Sequence, residues 1–366
     1  DGEAGLGKSY LVETFRRKLE AAHPSGFLWI EAPCDQTLQR SLNAFEAAMK
    51  EYFHQSSAQG KEENHVHFDD TLDWLKERLP PASAALAREL DQARAIFGAL
   101  LGIRWDGSLY ERLNPKDRFT HTLAAISAWI RAESSLQPVV LHLEDAQWAD
   151  EDTLRVIQAL SRIGADGSKP SASAPVAIVC TARPRDDGTA LRIPLQADVP
   201  VVEIPLGPLT AEQIGRVADN AAGRRVPDIF RTMLTDHAGG NPFYTEEILA
   251  YWNEADLQGP LGDSTVSSPS VALLPSDVNS VLIARLDRLP SPVKSIVQAA
   301  AVIGREFDLQ VLRLMFDDKK PVGDHVNEAV KQGIFLSLGS ERFRFRHTLL
   351  RNAAYEIQSR ARLQRL

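Results

Sequence analysis

The 366 residues carry 41 basic against 49 acidic side chains, and the net charge of −8 speaks against a whole-chain nucleic-acid-binding or membrane surface. This length predicts two or three domains with ample chain for a sizeable core. No run approaches the roughly 18 apolar residues of a membrane span, and the first residues do not read as a signal peptide.

The chain opens on Gly2-Glu3-Ala4-Gly5-Leu6-Gly7-Lys8-Ser9, which fits G-x-x-x-x-G-K-[ST], the phosphate-binding loop. Its glycines let backbone N–H groups turn inward around phosphate oxygens, helped by the positive end of the helix that follows. In that chemistry Lys8 reaches the β- and γ-phosphates and the Ser9 hydroxyl ligates Mg²⁺, with Tyr10 adjoining the nucleotide contacts. A helix is expected from Tyr10 to Ala21, its apolar face made by Leu11, Val12, Phe15 and Leu19. A loop of this kind follows a buried strand. The sequence begins at Asp1, so the chain is expected to be a piece of a longer protein whose first strand lies upstream.

Gly26 to Cys34 reads as a short buried strand and residues 38–53 as a helix. From His54 to Asp70 the chain is polar, and His65, His67, Asp69 and Asp70 lack the spacing of a metal site, so a solvated loop is expected. Residues 71–135 read as mostly helical, broken at Pro80-Pro81 and around Asn114-Pro115, a helical insertion large enough to be a subdomain. Pro138 to Asp145 is an apolar strand ending in two acids, Glu144 and Asp145. Downstream of a phosphate loop, one such acid holds Mg²⁺ and the other orients or deprotonates the attacking water; their order of roles stays open. Asp150 is expected to cap a helix over 151–163.

A Gly/Ser/Pro-rich loop over 164–175 leads to a second buried strand, Val176 to Arg183. Ligands of doubly wound sheets sit outside the carboxyl ends of the strands, which puts the permanently charged fork of Arg183 within reach of a γ-phosphate. Val201 to Ile204 is expected to close the α/β part as a last strand. Cys34 and Cys180 each end an apolar run and are expected to be free buried thiols in a reducing cytosol.

From Leu206 the texture turns helical. Thr210 with Gln213 makes a capping box, Gly239-Gly240-Asn241-Pro242-Phe243 interrupts the helices, and Tyr244 to Asn253 resumes one. Residues 256–270 read as a flexible linker. Helices near 276–288, 292–302, 308–316 and 324–332 precede a hairpin of 334–338 with 342–345, which together describe a winged-helix-like module. The domain reading is a nucleotide-binding domain over 1–205, a helical lid with linker over 206–270, and the winged-helix-like module over 271–366.

The ordered set of motifs adds Leu143-Glu144-Asp145-Ala146-Gln147-Trp148-Ala149-Asp150 and Thr181-Ala182-Arg183-Pro184 to the phosphate loop. Gly240-Asn241-Pro242-Phe243 with Glu246-Glu247 follows, then Phe345-Arg346-His347 with Arg351 and Tyr355. With these in order the chain resembles the signal-transduction ATPases with numerous domains, the STAND group. It is most similar to the branch found in bacterial LuxR-type regulators and beside class III nucleotide cyclases. The resemblance implies an α/β phosphate-loop fold followed by helical and winged-helix-like domains, and an ATP/ADP switch using Mg²⁺. Lys8, Glu144, Asp145 and Arg183 would serve the reaction, Ser9, Glu144 and Asp145 the metal. Pro242 would pack near the base, and His347 would bring the winged-helix module onto the diphosphate. Gln147 stands where such proteins often have His, and neither a repeat sensor nor an output domain is present.

Three functions follow. In the first, ADP keeps the domains packed and exchange for ATP opens them and licenses self-assembly or an effector elsewhere in the full-length protein. In the second, a remodelling ATPase reaches a neighbouring subunit through Arg185 or Arg224-Arg225. In the third, the winged helix and the basic residues Arg351, Arg360, Arg362 and Arg365 bind DNA directly; a solvated helix face is the plainer reading of those arginines. The expected location is cytoplasmic, without membrane partners.

Overall fold

In the computed structural model the described residues are 1–366 except 25, 36–39, 57–58, 162–175, 185–188, 190, 194, 196–198, 257–277, 317–320, 340 and 359–366. The 164–175 loop, residues 257–270 of the expected linker, Arg185, and Arg360, Arg362 and Arg365 lie outside the described residues. The chain divides into two compact units, Asp1–Gly2 with Lys8–Pro205 and Glu3–Gly7 with Leu206–Leu366.

The first unit runs α1 (Lys8–Ala22), β1 (Leu28–Pro33), α2 (Asn43–Tyr52), α3 (Lys61–Arg78), α4 (Ala84–Leu100), α5 (Leu109–Arg112), α6 (Pro115–Ser134), β2 (Val139–Glu144), α7 (Glu151–Leu160) and β3 (Val176–Cys180). The strands form a parallel sheet in the order β1-β2-β3, with Leu141 beside both Ile30 and Ile178. Every residue of β2 is buried, which is why its apolar run is continuous instead of alternating. Asp150 caps α7 by accepting the Thr153 N–H at 2.9 Å, and Asn114 caps α6 the same way from Asp117 at 3.0 Å.

The helical insertion packs into the same core as the sheet. Phe45, Met49, Phe53, Phe68, Leu72 and Trp129 join Ile30 and Leu141 in one cluster, so the insertion builds no core of its own. The polar stretch expected as a loop is helical from Lys61, because Phe68, Leu72 and Leu75 recur on one face and are fully buried. Its other residues serve that helix: His65 stacks on Trp105 and Asp69 pairs with Arg94 at 2.5 Å. Among the described residues no group of acids, histidines and cysteines could hold a metal ion by itself, and no helix is long and apolar enough to cross a membrane.

Two further expectations are corrected. Val201 to Ile204 pairs with no strand among the described residues, and Val202 is 84 % exposed; β-branched composition alone does not make a strand without an edge to bond. The apolar face of α1 buries Val12, while Leu11 and Phe15 remain 42 % exposed and Phe15 touches only the tilted ring of Trp29 among aromatic neighbours.

The second unit contains α8 (Ala211–Ala222), α9 (Asp228–Ala238), α10 (Pro242–Asp256), α11 (Val278–Asp287), α12 (Ser291–Ile303), β4 (Glu306–Asp308), α13 (Leu309–Leu314), α14 (Val322–Lys331), β5 (Phe335–Ser337), β6 (Arg342–Phe345) and α15 (Thr348–Glu356). The Thr210–Gln213 capping box that starts α8 is present in both directions. The expected hairpin of β5 and β6 gains a third strand, β4, giving an antiparallel sheet in the order β4-β6-β5. Phe307, Phe335, Phe343 and Phe345 pack from these strands onto Val293, Ile296 and Leu350. A smaller cluster of Ile214, Phe230, Leu234 and Ile248 joins α8, α9 and α10.

Candidate functional site

In the first unit the site forms at the carboxyl tips of β2 and β3. Parallel pairing sets Glu144 opposite Pro33, and the Cys34 N–H donates to the Glu144 carbonyl at 2.9 Å, so the backbone at this tip is fixed. The Glu144 carboxyl is only 5 % exposed and accepts from the Ser9 hydroxyl at 3.3 Å. Two of the residues expected at the metal are thus together although 135 positions separate them. A hydroxyl beside a buried carboxylate fits Mg²⁺, which takes hard oxygen donors and keeps several positions for water and phosphate. Lys8 starts α1, and its Nζ donates to the Gly2 carbonyl at 2.6 Å, within the loop it is expected to serve. Tyr10 is 73 % exposed and touches none of these residues in any described contact.

Immediately past Glu144 the backbone of Asp145 enters the left-handed region, at φ 52° and ψ 45°. An aspartate tolerates this better than most residues, but the conformation still holds strain of about 1 kcal/mol or more. The gain is a reversal of direction. A single 3₁₀ turn, Ala146–Trp148, then folds Gln147 back so that its Nε2 donates to Asp145 Oδ1 at 3.3 Å. Thr181, at the tip of β3, accepts the Asp145 N–H on its hydroxyl at 3.3 Å and the Ala146 N–H on its carbonyl at 2.8 Å. Arg183 follows two residues on, with its N–H donating to Gln147 Oε1 at 2.9 Å. Its Nε is buried and has no hydrogen-bond partner among the described residues.

Both cysteines are free, as expected, and both stay protonated at neutral pH. Burial pushes the Cys180 thiol up to about 12. Cys34 is pushed higher still, first by burial and then by the negative charges of Asp150, Cys180, Asp145 and Glu144. The carboxylates that crowd Cys34 are the α7 cap Asp150 and the strand-tip acids Asp145 and Glu144, so this end of the sheet favours a cation and disfavours a second anion.

In the second unit the loop segment Glu3–Gly7 is held by the residues that begin α10. Asn241 Nδ2 donates to the Ala4 carbonyl at 2.8 Å, while its Oδ1 accepts the Phe243 N–H at 3.1 Å and so caps the helix. The Phe243 N–H also reaches the Gly5 carbonyl at 3.4 Å. Gly5 cannot be replaced here: its φ is +83°, and an added Cβ would stand 2.5 Å from Asn241 Oδ1. Pro242 opens α10 and is half-buried.

His347 lies between β6 and α15, and it does not cap α15 with its side chain. Its ring packs on Phe243, with centroids 4.3 Å apart. Burial first, then the charges of Arg346, Arg285 and Arg305, bring its pKa down to about 4. At neutral pH the ring is therefore uncharged, and the arginines around it favour an anion. Of the residues with roles here, Gln147, Thr181 and Asn241 carried no assignment from sequence. Asn241 had one signal, an Asn-Pro step after a Gly pair, which is a helix-start pattern.

Comparison with known proteins agrees with this geometry. Residues 1–179 match the family model described as "AAA ATPase domain". An uncharacterized protein of Rhizobium meliloti (strain 1021) is 25 % identical over 383 residues, covering 99 % of this chain and 33 % of the relative, so the chain spans about one third of that protein. Among solved structures, a signal transduction ATPase with numerous domains carrying a tetratricopeptide repeat sensor, from Pyrococcus horikoshii, aligns with TM-score 0.44 at 11 % identity, covering 94 % of this chain and 42 % of its own. Cdc6p from Pyrobaculum aerophilum aligns with TM-score 0.39 at 14 % identity, covering 97 % and 86 %. Over residues 1–179 the chain is thus similar to the AAA ATPase domain of P-loop ATPases, in line with the phosphate loop and the acidic strand tip found there.

Proposed function

We propose that the protein is a regulatory ATP/ADP switch with slow, Mg²⁺-dependent hydrolysis, part of a longer signalling protein. The observation that carries this reading is the Ser9–Glu144 pair, a hydroxyl and a buried carboxylate meeting at 3.3 Å beside the tip that bears Asp145 and Arg183. When bound, Mg²⁺ supplies charge neutralisation for the phosphates. Ser9 and Glu144 hold it, with Asp145 near enough in sequence to orient a water. In hydrolysis the water oxygen bonds the γ-phosphorus as the bond to the β–γ bridging oxygen breaks, and Asp145 takes the water's proton. Arg183 reads the γ-phosphate, since its buried Nε has a hydrogen-bond capacity that nothing described uses.

In the second unit Asn241 and Phe243 hold the segment Glu3–Gly7. Glu3–Gly7 cradles the phosphates, Pro242 packs near the base, and His347 donates a neutral N–H to the diphosphate among Arg285, Arg305 and Arg346. We assign residues 1–205 to the nucleotide-binding domain, 206–270 to a helical lid and linker, and 271–366 to a winged-helix-like module whose role is intramolecular. Effector or assembly partners lie elsewhere in the full-length protein, in a reducing, cytoplasmic setting suited to two free thiols.

The test is titration of the full-length protein with fluorescent ATP and ADP, beside Lys8→Ala. Wild type is expected to bind both and to turn over slowly. Lys8→Ala is expected to lose at least about a hundredfold in affinity, as a desolvated charge on phosphate is removed. Unchanged affinity in Lys8→Ala contradicts the assignment, and brisk turnover dependent on oligomerisation points to a remodelling ATPase instead.

A further inference from the structure

Gln147 lies outside every residue assigned to metal, water or phosphate above, yet its amide bonds both strand tips at once. Its Nε2 donates to the Asp145 carboxylate at 3.3 Å and its Oε1 accepts from the Arg183 backbone at 2.9 Å. The two partners come from different strands, 38 residues apart by their numbers, since 183 − 145 = 38. A carboxylate only accepts and a backbone N–H only donates, so the link requires one group with a donor and an acceptor side by side. A primary amide meets that requirement with fixed polarity, and Gln147 carries it in the middle of the 3₁₀ turn Ala146–Trp148.

We infer that Gln147 is a positioning residue that couples the water-orienting acid to the γ-phosphate sensor, so that Asp145 is aimed only where Arg183 is also set. The inference rests on the ATP-switch reading and deepens it. It follows from what each half of the amide can control. The Oε1 contact fixes the main chain from which the Arg183 fork projects, and the Nε2 contact holds one oxygen of the Asp145 carboxylate. Thr181 adds a second tie, through the Asp145 N–H, but holds the backbone of that residue and not its carboxylate. The carboxylate is thus tied through Gln147 to the main chain of the other strand tip. A misplacement of about 1 Å is enough to lower a rate by about a hundredfold.

Two substitutions separate the halves of the amide. Gln147→Leu removes both bonds. Gln147→Glu keeps an acceptor for Arg183 but, when ionised, loses the donor and sets a second carboxylate beside Asp145. In the full-length protein, ADP affinity is the folding control and is expected to stay within about twofold in both, because neither bond concerns the diphosphate. Gln147→Leu is expected to lose about tenfold of the preference for ATP over ADP and at least about tenfold in single-turnover hydrolysis. Gln147→Glu is expected to keep the ATP preference while hydrolysis falls. Its rate relative to wild type should recover as pH is lowered from about 8 to about 5.5, since neighbouring carboxylates raise one another's pKa and a protonated Glu regains the donor. A merely structural residue would give no such pH recovery. Wild-type rate and preference in Gln147→Leu, or equal loss of ATP and ADP affinity, overturns the inference. A wild-type protein that binds no nucleotide overturns the switch reading itself.

Discussion

The strand tips of the first unit and the loop clamp of the second are built with opposite electrostatics. At the tips, Glu144 is buried, Asp145 follows it, and the nearby Cys34 thiol is held protonated partly by their negative charge. Around His347, three arginines and burial hold the imidazole neutral. One region suits a cation, the other an anion. Their mechanical character differs as well. The tips are fixed by strand pairing and by side-chain ties between β2 and β3, whereas the segment Glu3–Gly7 is held by the residues that begin a helix, Asn241 and Phe243. A switch needs contacts that differ between two ligand states.

The comparison is broken most severely at the acids. Glu144→Gln and Asp145→Asn keep hydrogen-bonding shape but remove charge and basicity, so hydrolysis should fall by about a hundredfold to ten-thousandfold while nucleotide affinity changes less. Steady-state phosphate release beside equilibrium binding measures both, and wild-type turnover in both variants would assign the acids to a structural role.

His347 gives the next effect, a dependence of stability on pH. An unfolded histidine titrates near 6.5, and this one titrates near 4 when folded. Between those values the unfolded chain binds a proton that the native ring refuses, so stability is present above about pH 6.5 and is lost as pH falls toward 4. The span corresponds to at most on the order of 3 kcal/mol. Denaturant unfolding of wild type and His347→Gln across this range checks it; the wild type should show the steeper loss, and parallel curves would remove His347 from the account.

Asn241→Ala gives the smallest change. It removes a helix cap and the bond to the Ala4 carbonyl, a cost of about 1 kcal/mol in stability and a severalfold weakening of ATP and ADP alike. A calorimetric titration that found one nucleotide weakened and the other untouched would mean that the clamp is not a common phosphate support.

What the sequence made legible was local. The phosphate loop, the β2 run ending in Glu144, the Asp150 cap and the Thr210–Gln213 box each declare themselves within about ten residues, because backbone geometry and capping chemistry are short-range. The errors were tertiary. Val201–Ile204 has strand composition but no strand edge to pair with among the described residues, and Lys61–Arg78 hides its helical face of Phe68, Leu72 and Leu75 among charges. The neutrality of His347 arises first from burial, then from the adjacent Arg346 and from Arg285 and Arg305, and neither the burial nor the two distant arginines is encoded in a local pattern. Gln147 was visible only as a departure from a familiar histidine, since its two partners meet only after β2 and β3 pair.

The most direct test of the switch is a comparison of ATP and ADP affinities in Arg183→Ala and His347→Ala, each made in the full-length protein and titrated with both nucleotides. Each lost hydrogen bond to a charged phosphate is worth about a tenfold to hundredfold change in affinity. Arg183→Ala should weaken ATP by that factor and leave ADP nearly unchanged, whereas His347→Ala should weaken ADP more than ATP. Equal weakening of both nucleotides in both variants would mean that neither region distinguishes the two states, and would contradict the switch.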